Sequence, residues 1–317
     1  MTVAIAAVCK MQGGTAVIAA EDHMITAGDV EFEQPQPKMW RQGPHAVALM
    51  YGDAAAQAEI ANASELEVIQ RHIVDVSEIA KVLYRSLRSY VRRLAESDVL
   101  GPLGLTTDSF LNHQSFGSQI YSEIIRQLQD YYRKSGLHYG FGGAILIGAD
   151  GIGTQGHVYK IEYAQRVWVD RIGFAAAGAG QWHAESQFMF SRYTTEWDFP
   201  EALSLLYTAK KRAEVAPGVG AETDIVVITT NPRNVIHFDM TSPLVAKLEE
   251  IYQAGKQRHD EATAWQHQEV RKYIEPFLSQ NPIPSAPAGG APGASPTPAA
   301  AEPSTSKKPK PENSSGG

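Results

Sequence analysis

The stretch TVAIAAVCKMQGGTAVIAAEDHMITAG, residues 2–28, places two apolar runs, Val3–Val8 and Thr15–Ala20, on either side of a glycine pair. Small and β-branched residues in runs of this length, bounded by glycine and polar residues, predict paired strands. The runs are apolar at consecutive positions, so both faces of each strand are expected to be covered. A threonine stands directly behind Met1, at the head of the first strand. Exposed by removal of that methionine, it would carry a hydroxyl and a free α-amine on one residue, a nucleophile with its base beside it. The plain alternative is an ordinary β-former that opens an edge strand.

Outward from this hairpin the chain changes period. Ala46–Tyr51 reads as a third strand, after which Ile79, Leu83, Leu87, Val91 and Leu94 recur at spacings of four and three, one stripe of a long helix starting near Glu65. A second helix is expected at SQIYSEIIRQLQDYYRKSG, between a serine cap and a glycine stop. GAILIGAD, HVYKIEY and RVWVDRIGFAAAG, separated by turn residues, predict an antiparallel meander. QWHAESQFMFSRY and DFPEALSLLYTAKKRAE then predict helices, the second opened by Asp198 as N-cap with Pro200 in its first turn. DIVVITT and NVIHFDM predict strands before a last helix, which Ser242 and Pro243 open and which runs toward Leu278.

Strands and helices thus come in segregated runs, which predicts an α+β fold: a four-layer αββα sandwich of two antiparallel sheets between helical layers. One domain is expected over residues 1–280. Residues 281–317 are rich in proline, alanine, glycine and serine and nearly free of large apolar side chains, so a disordered tail is expected there.

Composition removes several function classes. The net charge of -7 gives no general attraction to phosphate backbones, so no nucleic-acid partner is expected. No apolar run approaches the roughly 20 residues of a membrane helix, and the N-terminus has no signal-peptide pattern, so a cytoplasmic protein without a membrane partner is expected. Cys9 is the only cysteine, which leaves no internal disulfide and reads as a small core residue. The ten histidines are scattered without helical i,i+4 pairing to a third ligand, so no metal site is expected. GADGIGTQG lacks the lysine and hydroxyl residue that end a phosphate loop and reads as a hairpin turn, so no cofactor is expected.

The opening hairpin, followed by PKMW, MYGDAAAQ, FAAAGAGQWHAES and ETDIVVIT in this order, resembles a proteasome β-type subunit of the N-terminal nucleophile hydrolases, over roughly Thr2 to Thr230. The segment between Glu96 and Tyr139 is longer than that pattern. The resemblance implies a threonine-type peptidase in which Thr2 is the nucleophile and its own amine, with an ordinary pKa near 8, is the base. It implies a lysine beside the nucleophile, matched by Lys38, and an acid that holds the lysine. Glu21 and Asp22 both stand near that place, and strand alternation lets only one face Lys38. Asp22 is chosen because its spacing to Thr26 and Gly28 reproduces the family's acid, threonine and glycine, whereas Glu21 matches the count from the preceding strand. Thr26 and Gly28 would then line the substrate path, with an extended peptide added along the Thr26 backbone. For the oxyanion donor, alignment back from GDA gives Leu49, and Gly52 is the nearest glycine. The resemblance also implies self-assembly into a ring, an ATPase unfoldase or activator, and unfolded polypeptide as substrate.

Three departures from the family pattern bear on activity. A serine is replaced by Ala179, and an Asp and Ser pair by Ala213 and Ala216, so polar support near the threonine is absent. Glu214 could replace the acid by a one-residue shift, or be a solvated charge at a helix end. Two rival readings follow: an amidase or peptide ligase of the same superfamily acting on a specific substrate, and a noncatalytic ring or scaffold subunit.

Overall fold

Alanine and β-branched residues at successive positions do build strands covered on both faces. A computed structural model describes residues 2–27, 30–33, 38–112, 117–137, 142–150 and 155–280. Strands β1 (Val3–Met11) and β2 (Gly14–Glu21) form the opening hairpin, with Met11 opposite Gly14 and Ala4 opposite Glu21. Gly13, at φ 85°, supplies the left-handed backbone that a turn of two residues requires. A short hairpin of β3 (Met24–Ala27) and β4 (Val30–Glu33) follows, then β5 (Met39–Arg41) and β6 (Ala46–Tyr51).

Two helices come next, α1 (Ala54–Gln70) and α2 (Val76–Ala95), where one long helix from near Glu65 was expected. Asp53 accepts a hydrogen bond from the Ala56 N–H and starts α1 earlier, and Asp75 accepts from the Glu78 N–H and starts α2 after a break. Beyond short helical turns over residues 96–103 lie α3 (Thr107–Asn112) and α4 (Ser118–Leu137); Leu100, Phe110 and Ile124 form a small core of their own there.

The second half holds β7 (Gly143–Ala149), β8 (Gly156–Glu162), β9 (Arg166–Trp168), β10 (Phe174–Gly178), α5 (Gln181–Phe190), α6 (Phe199–Ala213), β11 (Asp224–Thr230), β12 (Arg233–Phe238) and α7 (Pro243–Gln280). The tip of the β7–β8 turn, residues 151–154, and the expected tail, 281–317, lie outside the described residues. The expected meander holds for β7, β8 and β9 only. RVWVDRIGFAAAG breaks at residues 170–173, where Gly173 takes φ 84°, and β10 crosses to pair with β1 in the other sheet.

The sheet orders are β10-β1-β2-β11-β12 and β5-β6-β7-β8-β9, all antiparallel. Ala4, Ala6, Val17 and Ala19 of the first sheet meet Leu49, Ile145, Ile147 and Val158 of the second in the central core. The opposite face of the first sheet, with Val3, Ile5, Cys9 and Ile18, packs on α5, α6 and the start of α7 through Phe188, Leu206 and Leu248. The outer face of the second sheet packs on α1 and α2 through Ile60, Leu83 and Leu87. This is the αββα order of layers. Burial pushes the Cys9 thiol up to about 12, as for an inert core thiol.

The chain divides into two units, 1–258 and 259–317. In the second, the described residues continue as helix to Gln280, with Trp265, Val270, Tyr273 and Phe277 exposed. Among the described residues no helix is long and apolar enough to cross a membrane.

Candidate active site

Thr2 precedes the first residue of β1, and Asp22 follows the last residue of β2, so the hairpin register brings the two ends together. The Thr2 hydroxyl donates to Asp22 Oδ1, which also accepts the Val3 N–H at 2.9 Å. The other oxygen, Oδ2, accepts from the N–H groups of Gly220 at 2.8 Å and Met24 at 3.2 Å. Asp22 is completely buried, and these bonds replace the water it has lost.

Lys38 arrives from the second sheet. Its backbone carbonyl accepts the Met50 N–H at 3.4 Å, which anchors it beside β6. Its ammonium donates to Thr2 Oγ1 at 2.9 Å and to the Met24 carbonyl, and lies 3.5 Å from Asp22 Oδ1. Burial lowers the Lys38 pKa, while Asp22 and Glu21 oppose that shift. The threonine oxygen therefore sits between an acceptor carboxylate and a donor ammonium, and all three side chains are buried. A cation at hydrogen-bond distance stabilises an alkoxide and makes the hydroxyl easier to deprotonate.

Glu21 is buried as well, on the face of β2 shared with Val17 and Ala19. Its side-chain oxygens make no well-formed hydrogen bond, and desolvation raises its pKa well above the ordinary value, although Lys38 pulls the other way. The structure thus brings Thr2, Asp22 and Lys38 into one cluster and leaves Glu21 next to it as a separate acid.

The remaining sequence candidates fall as follows. Leu49 lies inside β6, paired with Met39 and Ile145, its side chain buried in the central core. Gly52 follows that strand at φ 108°, a backbone conformation that favours glycine, with its N–H on the turn before α1. The Thr26 backbone is in β3, opposite Glu31, and Gly28 lies outside the described residues. Ala179 is half-buried between Gly178 and Gly180; a Cβ on Gly178 would fall 2.2 Å from the Thr2 carbonyl oxygen. Ala213 and Ala216 are buried in the apolar core under α6. Glu214 binds Lys210 at 2.7 Å and Lys211 at 2.9 Å.

Sequence reasoning missed the support behind Asp22. Gly220 is one of many glycines in the chain, and nothing in its neighbours marks its N–H as a ligand to a carboxylate nearly two hundred residues away. His23 was equally silent: its Nε2 lies 2.9 Å from Asp224 Oδ1, which is also bonded by the Met240 N–H, while His237 Nε2 lies 3.2 Å from Oδ2. Burial raises the Asp224 pKa, but its bonds from His23 and His237 prevail and hold it down at about 2. Asp224 faces Glu21 across the ladder and adds, behind burial and Asp22, to the rise of the Glu21 pKa.

Two antiparallel sheets between helical layers define an α+β fold of four layers, αββα, with a threonine just ahead of its first strand. Among solved structures the chain is similar to an Anbu (Gly-1) mutant from Hyphomicrobium sp. strain MC1, with a TM-score of 0.54 and 13% identity, over 82% of this chain and 97% of that one. At this identity the likeness shows the fold alone. No protein-family description matches the chain, and no curated protein does.

Proposed function

We propose that this chain is a threonine-type hydrolase of amide bonds in peptides, with Thr2 as nucleophile once Met1 has been removed. The observation that carries the reading is the Thr2 hydroxyl held between Asp22 and Lys38 in a buried cluster. The free α-amine of Thr2 accepts the hydroxyl proton, directly or through one water, as Oγ attacks the peptide carbonyl. The new C–O bond gives a tetrahedral oxyanion, for which the Gly52 N–H is the favoured donor. Collapse breaks the C–N bond, the protonated amine of Thr2 returns its proton to the leaving amine, and water then hydrolyses the acyl ester. Lys38 keeps a positive charge beside Oγ throughout, and Asp22 orients Lys38.

Among the described residues β3 pairs as a strand only with β4; the Met24 N–H and carbonyl at its start are taken by Asp22 and Lys38, so an extended peptide would add along the Thr26 backbone beyond them. That geometry supports an unfolded polypeptide as substrate. Self-assembly into a closed ring, supplied by an ATPase partner, is the matching proposal for how folded proteins would be kept from this site. A noncatalytic scaffold role is the second reading, favoured by the burial of Ala213 and Ala216 in apolar surroundings where polar support would stand.

Intact-mass measurement of the purified protein, followed by labelling with a threonine-directed electrophile and peptide mapping, separates the two. A mass lacking the initiator methionine and a single adduct on Thr2, lost in Thr2→Ala and kept in Thr2→Ser, is the expected result. Retained methionine, or a Thr2 inert to every such reagent, sinks the hydrolase reading and leaves the scaffold.

A further inference from the structure

Lys210 is a lysine on α6 with no solvent exposure, and no step above uses it. Its ammonium donates to Glu214 Oε1 at 2.7 Å, to the Gly220 carbonyl at 2.8 Å and to the Ala221 carbonyl at 2.7 Å. An ammonium has three protons, so its donor capacity is saturated by this loop. Burial lowers its pKa, while the bonded Glu214 opposes that shift; Lys211 and Asp22 are the other charges that face it.

The two carbonyls belong to the segment that reaches the candidate active site. Gly220 presents its C=O to Lys210 and its N–H to Asp22 Oδ2. There is no slack around it: a Cβ at Gly220 would lie 2.1 Å from Glu33 Oε1, and that oxygen also accepts the Glu222 N–H at 3.1 Å. On the far side Glu214 is held a second time by Lys211, which reaches Glu249 on α7 at 3.3 Å. A continuous run of charge-assisted bonds therefore leads from α7 through α6 to the carboxylate that binds Thr2.

We propose that Lys210 is a positioning residue: it clamps the Gly220–Ala221 backbone so that the Gly220 N–H fixes one oxygen of Asp22 and leaves the other for Thr2 and Lys38. The consequence for reaction rests on the role proposed above for Asp22, while the placement of Asp22 can be read without it. The clamp takes over, from one helical turn upstream, the bracing that Ala213 and Ala216 cannot give.

The test uses the full chain carrying Lys210→Met, which keeps the stem length and removes the ammonium. Two readouts are taken: hydrogen exchange of the peptide containing Gly220, and the pH dependence of electrophile labelling at Thr2. The clamp predicts exchange at least about tenfold faster at Gly220 with β1 unchanged, and labelling slower by about tenfold. It also predicts a labelling midpoint displaced to higher pH, because losing a buried cation near the site favours the protonated form of the Thr2 amine that acts as base. A folded variant with unaltered Gly220 exchange and an unmoved midpoint overturns the proposal, as does faster exchange spread evenly over β1 and the 220 segment. If Lys210→Met does not fold, Glu214→Gln, which keeps an acceptor for Lys210 without the charge, is read by Gly220 exchange alone, with a smaller increase expected and unaltered exchange overturning the clamp. If wild-type Thr2 takes no label, the hydrolase reading falls separately, and Gly220 exchange alone decides the clamp.

Discussion

Glu21 and Asp22 are consecutive and both buried, yet only Asp22 sits in a full set of bonds to Thr2, Val3, Met24 and Gly220. Part of this was legible in the sequence, since strand alternation forces neighbours onto opposite faces. That Glu21 would stay buried was not, because a carboxyl on the core face normally signals a misread register. Its raised pKa has a defined sign in stability. From the ordinary value of 4.5 upward the unfolded chain loses the Glu21 proton and the folded chain keeps it, so this group's contribution falls as pH rises to its folded pKa. Glu21→Gln removes that loss. Its melting temperature should exceed the wild-type value by a margin that grows as pH rises above the ordinary carboxylate range toward neutrality. A margin that is flat or shrinking over that range would mean that Glu21 is ionised and stabilised by Lys38. The same variant should retain Thr2 labelling, since no bond to Thr2 involves Glu21.

At the scale of elements, helix starts separate what pattern can and cannot show. The start of α1 was hidden because AAAQAEIANASE has few large apolar residues to mark a period, and the cap at Asp53 carries the signal instead. Asp198 stands at the N-cap of α6 as expected, but its side chain makes no capping bond there. Replacing Asp53 with Ala should cost about 1 kcal/mol in chemical denaturation, and Asp75→Ala about the same, whereas Asp198→Ala should cost clearly less. Equal losses at all three would show that the caps act through helix charge rather than through the bonds to Ala56 and Glu78. The crossing of β10 was hidden for a different reason. RVWVDRIGFAAAG is apolar on both sides of its break, and what ends the meander is long-range: Asp170 takes the Val158 N–H at 2.7 Å and His157 Nδ1 at 2.6 Å. Such bonds leave no periodic trace in the local sequence.

Across the whole molecule, alanine on the inner face of the first sheet lets the two sheets approach, and that approach is what allows a lysine from one sheet to reach a threonine on the other. The same economy of volume holds on the outer side of the sheet, where Ala213 meets the chain at Gly180: a Cβ on that glycine would lie 2.7 Å from the Ala213 Cβ. The resemblance to proteasome β-type subunits would put an aspartate at 213, so restoring it asks whether the alanine is a lesion or part of a different solution. Ala213 is fully buried among apolar neighbours, and the nearby Lys210 has all three protons committed. A carboxylate placed there would lose water without gaining a donor. Ala213→Asp should therefore destabilise the fold by at least about 2 kcal/mol in urea titration and should not raise the rate of Thr2 labelling. A stable Ala213→Asp variant that labels faster would show that the site lacks a support it can still accept. The predicted loss would instead fit a packing in which α6 braces Asp22 through lysine and backbone and leaves no place for the acid that the resemblance implies.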